Sequence, residues 1–292
     1  MAQANSTTQT LPDFTKLWNF GNPKETERRF LEILPNAEMI QDDSYLAQLL
    51  TQISRAQGLQ GKFEEAHATL DRVEKMLTVN LRVARVRYYL ERGRVFNSSH
   101  HSDQAMPLFM YAYELAAQIS ENKLVIDALH MVAIAEKDPN KQINWNLKAI
   151  AMAEENINSR DWLWALYNNI GESYLAIRNY ESARLYFHKL VDLQKEKGEP
   201  DIYTLKDEAR AIRLSGNATE AMAIIEPIFE KLRSENKDDG WIREEMAENL
   251  YALDEKKKAK PHFIKAYELL SNEDYCIRNE QDKLEHLKQM SG

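Results

Sequence analysis

The chain has 292 residues, a formal net charge of −8 at pH 7 and one cysteine, Cys276. This acidic balance gives no global reason to expect binding to nucleic acid or to an anionic membrane. A lone cysteine can form neither an intramolecular disulfide nor a metal-binding cluster. With only 9 Gly and 8 Pro and hardly any alternating β-branched runs, the composition predicts an all-α protein.

The N-terminal segment is polar and has almost nothing to bury, so residues 1–12 are predicted to be a disordered tail. The segment lacks the basic and apolar regions of a signal peptide, and no later window approaches 18 uninterrupted apolar residues. We therefore expect a soluble, cytoplasmic protein without a membrane partner, in a compartment whose reducing conditions suit a free thiol.

Residues 13–43 are predicted to form an N-terminal helical pair. The stretch LPDFTKLWNF indicates one short helix and NPKETERRFLEILP a second. Asn22 is a suitable N-cap for the second helix, and Pro23 suits its first turn. We interpret the pair as a degenerate leading unit.

A longer pattern occupies residues 166–190, where aromatic, aliphatic and small residues recur at helical spacing. Its positions are Tyr167, Ile170, Gly171, Tyr174, Ala183 and Phe187. The small residues Gly171 and Ala183 would let two antiparallel helices approach closely, while the aromatic side chains fill the space beside them. The segment RNY at 178–180 is predicted to be the turn.

The small residue of the second helix recurs along the chain at intervals of 37 to 41 residues, at Ala66, Ala105, Gln142, Ala183, Ala221 and Ala259. These markers predict six helix pairs over residues 44–272 and a capping helix over 273–292. Ser54, Arg92 and Glu208 replace the small or aliphatic residues expected at their positions, so less regular packing is expected in their units.

This pattern resembles the tetratricopeptide repeat, with units longer than its usual length of about 34 residues. The long units and paired asparagines are similar to those of kinesin light chains and bacterial peptide-sensing receptors. The resemblance implies a right-handed α-α superhelix in which the first helix of each pair lines the concave groove. It also implies a protein-interaction scaffold.

Asn168 and Asn169 would face that groove together with Glu172, because Tyr167, Ile170 and Gly171 take the core positions of the same helix. An amide offers donors and an acceptor, so it can pair with the backbone of an extended peptide of any sequence. The alternative is that a solvated face merely tolerates asparagine.

Basic residues occupy comparable faces of the other first helices: Arg55, Arg87, Arg94, Lys206, Arg210 and Arg213, with His130. They predict a positively biased channel for a ligand that carries carboxylates, since arginine binds these in two-point geometry. Alternatively, Glu91, Asp127, Glu172 and Asp207 neutralise the cations. Further along, the groove is predicted to turn acidic at Glu244, Glu245 and Glu248.

Two groove residues have open roles. His130 would serve either as a neutral hydrogen-bonding group or as one that titrates near physiological pH. Trp241 would either fill an interhelical gap or anchor a ligand. Asn169, Lys206 and Arg210 partly match the chaperone-tail clamp of some tetratricopeptide domains, but His130 and Ile134 stand where that clamp requires Lys and Asn. A standard clamp is therefore not predicted.

Enzyme motifs are absent from the sequence: it has no glycine-rich phosphate loop, no G-x-S-x-G and no H-E-x-x-H. We therefore predict no catalytic, metal or cofactor site. The predicted function is a non-catalytic module that binds a peptide or protein segment in its groove as an adaptor, assembly factor or peptide-responsive regulator. The alternative is a structural protein that self-associates through its outer or end surfaces. The sequence does not predict the oligomeric state.

Overall fold

The computed structural model describes residues 11–292, and within that range every regular element is helical. Two 3-10 helices span Phe14–Leu17 and Ile157–Trp162. The α-helices are α1 (Pro23–Ile40), α2 (Asp43–Leu59), α3 (Phe63–Met76), α4 (Arg82–Ser98), α5 (Ser102–Gln118), α6 (Asn122–Ala135), α7 (Pro139–Glu155), α8 (Leu163–Ala176), α9 (Tyr180–Lys195), α10 (Ile202–Leu214), α11 (Ala218–Ser234), α12 (Gly240–Ala252), α13 (Lys256–Leu270), α14 (Asp274–Asn279) and α15 (Gln281–Ser291).

The N-terminal segment departs from the sequence prediction in two ways. Most of the predicted tail lies outside the described residues, but Leu11 packs against the hydrophobic core formed by α1 to α4, and the Tyr45 hydroxyl donates to the Pro12 carbonyl over 2.7 Å. The predicted helical pair is a single 3-10 turn followed by one long helix. That helix, α1, begins at Pro23 with Asn22 as its N-cap, as predicted, and continues past Pro35 to Ile40.

Helices α2 to α13 form six pairs of consecutive, packed helices, and each predicted marker lies on the second helix of its pair. The five marker alanines are buried. Gln142 is only partly buried, and its side-chain amide donates to the Glu136 carbonyl over 2.6 Å. Gln142 therefore ties α7 to the short turn that precedes it instead of filling a helix contact.

The glycines of the repeat are required by aromatic side chains from the paired helix. A Cβ at Gly171 would lie 2.7 Å from ring carbons of Phe187, and one at Gly93 would lie 2.5 Å from a ring carbon of Phe109. Phe187 and Phe109 are fully buried. The predicted pairing of a small residue on one helix with a filling aromatic on the other thus holds in two repeats.

The three departures from the repeat pattern are accommodated by polar contacts. The Ser54 hydroxyl donates to the Ala66 carbonyl over 3.0 Å. Arg92 forms an ion pair with Asp71, and Glu208 lies 2.6 Å from the Nδ1 atom of His188. A buried polar group needs such a partner. At these three positions, polar contacts therefore replace apolar packing, and the helix pairs are retained.

The chain divides into two compact units: unit 1 ends at Ser159 and unit 2 begins at Arg160. Unit 1 contains α1 to α7, and unit 2 contains α8 to α15. In unit 2 the predicted capping helix is two helices, because the chain leaves helical geometry at Glu280 between α14 and α15. Cys276 and Leu287 from these helices are buried in the core of unit 2. Burial raises the pKa of the Cys276 thiol to about 11, so it stays protonated at neutral pH.

Candidate functional site

The predicted binding residues all lie on the first helices of their pairs, and they fall into one cluster in each unit. In unit 1 they are Arg55 on α2, Arg87 and Arg94 on α4, and His130 on α6. In unit 2 they are Asn168, Asn169 and Glu172 on α8, and Lys206, Arg210 and Arg213 on α10. Except for Glu172, which is exposed, each is partly buried.

The paired asparagines of α8 differ in their contacts. The Asn168 side chain makes no hydrogen bond within residues 11–292, whereas Asn169 has contacts of its own inside the chain. The Asn169 carbonyl accepts from the Ser173 hydroxyl over 2.9 Å, an ordinary bond within the helix. Of the two amides, Asn168 is therefore the one with unused hydrogen-bonding capacity.

Arg210 and Lys206 on α10 lie beside carboxylates at the surface of unit 2. An Arg210 nitrogen is 3.7 Å from Glu172, and the Lys206 ammonium is 2.8 Å from Asp207. The Arg210 side chain is 37% exposed. Partial desolvation raises the pKa of Glu172 above its ordinary value, against the opposing charge of Arg210. This long, partly exposed contact is a weak ion pair.

Arg213 is held much more firmly than Arg210. Its Nε and Nη2 atoms donate to the two oxygens of Glu245 over 2.8 and 3.0 Å, and Nη1 lies 3.8 Å from Glu248. Burial lowers the pKa of Arg213, but the hydrogen bonds and charge of Glu245 more than offset it, so the pKa lies above its ordinary value. Arg213 is thus a charged side chain with little capacity left for a ligand.

A pocket of about 230 Å³ opens beside these residues in unit 2. Trp241 lines it, and the centroid of its ring lies 5.3 Å from the Lys206 ammonium and 4.8 Å from that of Lys283. Lys283 also pairs with Glu244 at 2.7 Å. The lining residues are Lys206, Arg210, Arg213, Leu214, Trp241, Glu244, Glu245, Glu248 and Lys283. We call this the Trp241 pocket.

The cluster in unit 1 is a network of ion pairs around Arg94. Arg94 lies between Asp127 and Glu91, with 2.5 Å to the Oε1 atom of Glu91. Arg55 lies 3.7 Å from the same Glu91 oxygen. Burial opposes ionisation of Asp127, yet Arg94 and Arg55 hold its pKa below the ordinary value.

His130 and Arg87 complete the unit 1 cluster. Burial lowers the pKa of His130 to about 4, which favours the neutral ring at physiological pH. Arg87 donates to the Gln48 side-chain oxygen over 3.1 Å. Of the two roles open to His130, the structure therefore favours that of a neutral hydrogen-bonding group.

Of the two alternatives for the predicted cations, the ion pairs favour neutralisation by neighbouring carboxylates. Among the described residues, each predicted cation except Arg87 forms an ion pair: Arg55–Glu91, Arg94–Glu91, Arg94–Asp127, Lys206–Asp207, Arg210–Glu172 and Arg213–Glu245. The predicted acidic stretch is neutralised in the same way, since Glu244 pairs with Lys283 and Glu245 pairs with Arg213. Both surfaces are therefore mixed in charge.

Sequence reasoning missed Lys283, which the cap contributes to the Trp241 pocket. Lys283 lies 39 residues after its partner Glu244, and His286 lies 38 residues after Glu248. These separations equal one repeat length, so the face of α15 could have been predicted as one further first-helix face. The cap is thus part of the candidate site as well as the end of the core.

Two further searches of residues 11–292 give negative results. No helix there is both long and apolar enough to cross a bilayer. No group of three or more His, Cys, Asp or Glu side chains in that range is arranged to hold a metal ion.

Comparison with solved structures identifies the fold. A signal-transduction ATPase with a tetratricopeptide repeat sensor, from Pyrococcus horikoshii, aligns with a TM-score of 0.69 and 15% identity, over 90% of this chain and 41% of that one. NprR in complex with its cognate peptide NprX aligns with a TM-score of 0.59 and 15% identity, over 98% of this chain and 84% of that one. The kinesin light chain repeats from Podosopora anserina align with a TM-score of 0.54 and 15% identity, over 62% of this chain and 93% of that one.

These likenesses define the class of protein: the chain has the all-α tetratricopeptide-repeat fold. The resemblance inferred from its repeat pattern is therefore confirmed at the level of fold. No protein-family model and no curated protein sequence matches the chain. Because one fold of this kind supports many functions, the function has to be argued from the sites themselves.

Proposed function

We propose that the protein is a non-catalytic interaction module that binds an extended segment of a protein or peptide along the first helices of unit 2. Asn168, Asn169 and Arg210 would contact the segment, and the Trp241 pocket would receive one of its carboxylates, either an acidic side chain or the C-terminus. The role would be that of an adaptor, assembly factor or peptide-responsive regulator.

The Trp241 pocket is the observation that carries this proposal. Two ammonium groups, Lys206 and Lys283, lie against one indole ring, and Arg210 lines the same pocket. Each of these cations is paired with a carboxylate of the protein itself: Lys206 with Asp207, Lys283 with Glu244 and Arg210 with Glu172. The contact between Arg210 and Glu172 is long and partly exposed. Since an exposed pair of this kind contributes about 0–1 kcal/mol, a ligand carboxylate can replace Glu172 beside Arg210 at small cost.

The asparagines would supply contacts that do not depend on the ligand's sequence. Asn168 has an amide with hydrogen-bonding capacity on the same helix as Glu172, the partner of Arg210. An extended backbone presents a donor and an acceptor at every residue, which matches the two functions of an amide. NprR, which has a similar fold, was solved with a bound peptide, and that fact supports a peptide as the ligand class.

A second role, self-association through an end surface, is favoured by one observation. Tyr275 and Ile277 on α14 are both exposed in the cap of unit 2. Large apolar side chains that stay exposed on a short terminal helix are groups that a second copy of the chain would cover. Sedimentation of the wild type and of Tyr275→Ser would show a loss of dimers if this surface joined two copies.

Selection from a random peptide library displayed with free C-termini tests the proposed function. We expect the wild type to enrich peptides with an acidic residue or a required free carboxylate, and Arg210→Glu to lose that enrichment. Arg233→Glu is the matched control, because Arg233 is an exposed arginine on the second helix α11 with one neighbouring carboxylate at 3.5 Å. Equal enrichment by all three proteins would contradict the proposal.

A further inference from the structure

Unit 1 contains a pocket that the proposed function does not use. It has a volume of about 270 Å³ and lies where the first helices α2, α4 and α6 end. Leu59, Val95, Met131 and Ile134 form its apolar walls. Leu59 and Ile134 are 54% and 43% exposed, so a broad apolar rim leads into the pocket. We call it the Glu91 pocket.

Glu91 gives this pocket an unusual polar group. Its side chain is 2% exposed, and its Oε1 atom carries the contacts to Arg94 and Arg55. Its Oε2 atom is buried and has no hydrogen-bond partner among residues 11–292. A buried carboxylate oxygen without a donor is energetically unfavourable, so a ligand that donates a hydrogen bond to it would be stabilised.

The surrounding charges determine which kind of donor fits. A cationic donor would meet the guanidinium groups of Arg55 and Arg94, which also line the pocket. An anionic ligand would meet Glu91 and the negative ends of three helix dipoles. A neutral N–H or O–H group avoids both repulsions while it supplies the missing hydrogen bond.

We propose that the Glu91 pocket binds one aromatic side chain with a neutral donor, a tyrosine or a tryptophan, from a partner protein. Its volume is slightly below the range of roughly 300–1,000 Å³ that small-molecule sites occupy, which favours a single side chain. The ring packs against Leu59, Ile134 and the adaptable side chain of Met131. The donor bonds to Oε2 of Glu91, which is shielded in the unliganded chain and is uncovered by a shift of the pocket side chains. The inference rests on the proposed function only in that a protein supplies the aromatic residue.

Methyl NMR on the full chain tests this proposal with single residues as probes. N-acetyl-tyrosinamide and N-acetyl-tryptophanamide should shift the methyl signals of Met131 and Ile134 with millimolar affinity. The phenylalanine amide, which lacks the donor, should bind about tenfold more weakly. Lysine and glutamate amides should leave both signals in place. The exposed methyl group of Ile157, outside the pocket, is the internal control.

Variants separate this pocket from the proposed peptide site in unit 2. Ile134→Asp should abolish the tyrosine-induced shift at Met131, and Ile157→Asp should preserve it; both positions are exposed, so folding is retained. Arg210→Glu should behave as the wild type in this experiment. The result for the Glu91 pocket can therefore be interpreted even if the unit 2 proposal fails. The inference is overturned if tyrosine and tryptophan amides cause no shift, if phenylalanine binds as well as tyrosine, or if lysine binds more tightly.

Discussion

Arg213 of α10 and Glu245 of α12 form a two-point ion pair between the first helices of consecutive repeats, with distances of 2.8 and 3.0 Å. The two side chains are only 12% and 4% exposed. The Asn249 amide donates to the same carboxylate over 2.8 Å, which adds a third bond to the arrangement. This pair joins two repeats in unit 2, and its geometry favours a structural role for Arg213 over direct ligand binding.

Arg213→Ala should therefore destabilise the protein strongly, because it leaves the Glu245 carboxylate buried without its partner. Removing one member of a buried pair typically lowers the free energy of unfolding by about 3–5 kcal/mol. Urea denaturation followed by circular dichroism measures the change. Arg233→Ala, at an exposed pair, should change it by less than about 1 kcal/mol. Similar small losses in both variants would show that the Arg213 pair does not stabilise the repeat contact.

Glu172→Gln should strengthen carboxylate binding in unit 2. The substitution removes the charge that competes for Arg210 and keeps a side-chain acceptor in place. We expect a severalfold lower Kd for a selected acidic peptide, measured by fluorescence anisotropy, with little change in Tm. A weaker affinity would mean that Glu172 itself binds the ligand and that Arg210 is not the group released by the exchange.

The same pair predicts a pH dependence. Because the pKa of Glu172 is raised, this carboxyl takes up a proton before an exposed ligand carboxylate with an ordinary pKa of about 4. Affinity should therefore rise as the pH falls through the weakly acidic range, and then fall once the ligand is protonated. Anisotropy titrations at several pH values would show this maximum in the wild type. In Glu172→Gln the low-pH rise should be missing.

Gly171→Ala should destabilise unit 2 through a steric conflict. The new Cβ would lie 2.7 Å from ring carbons of Phe187, which is fully buried and cannot move freely. Overpacking of this kind typically lowers the free energy of unfolding by about 1–3 kcal/mol.

Gly58→Ala is the matched control, since its nearest neighbour, a methyl carbon of Val95, is 3.7 Å away. That change should be neutral or stabilising because alanine is the better helix former. Combining Gly171→Ala with Phe187→Leu should recover part of the loss. If the two glycine variants are equally stable by thermal unfolding, close helix approach is not the reason for Gly171.

His130 should make the protein less stable in mild acid. Its pKa is about 4 in the folded chain, against an ordinary value of 6.5, so only the unfolded chain gains a proton as the pH falls between these values. Stability contributed by the neutral ring is present above pH 6.5 and is lost progressively towards pH 4, to a total of roughly 3 kcal/mol.

Urea unfolding at pH 7 and pH 5 measures this loss, and His130→Gln should reduce the difference between the two pH values. An NMR titration of the His130 ring gives an independent check. A midpoint near 6.5 would rule out the buried neutral histidine.

The repeat could be predicted from the sequence because its signal is local and recurrent. A close helix contact is indicated directly by Gly171, Ala183 and Phe187, and the start of a helix is indicated by Asn22. The structure contains both features. Side-chain pairing was not predictable in the same way. Arg94 and Arg210 have similar neighbours in sequence, yet one is enclosed between two carboxylates while the other makes a single long contact. That difference depends on side-chain geometry across helices, which helical spacing alone does not determine.

Affinity capture from a cell lysate tests the central claim most directly. Wild type, the Asn168→Ala/Arg210→Glu double variant and the control Arg233→Glu would be compared by quantitative mass spectrometry, after equal Tm values have shown that all three are folded. We predict a partner that the wild type and the control retain and the double variant loses. Identical sets of captured proteins for all three would contradict binding on the first helices of unit 2.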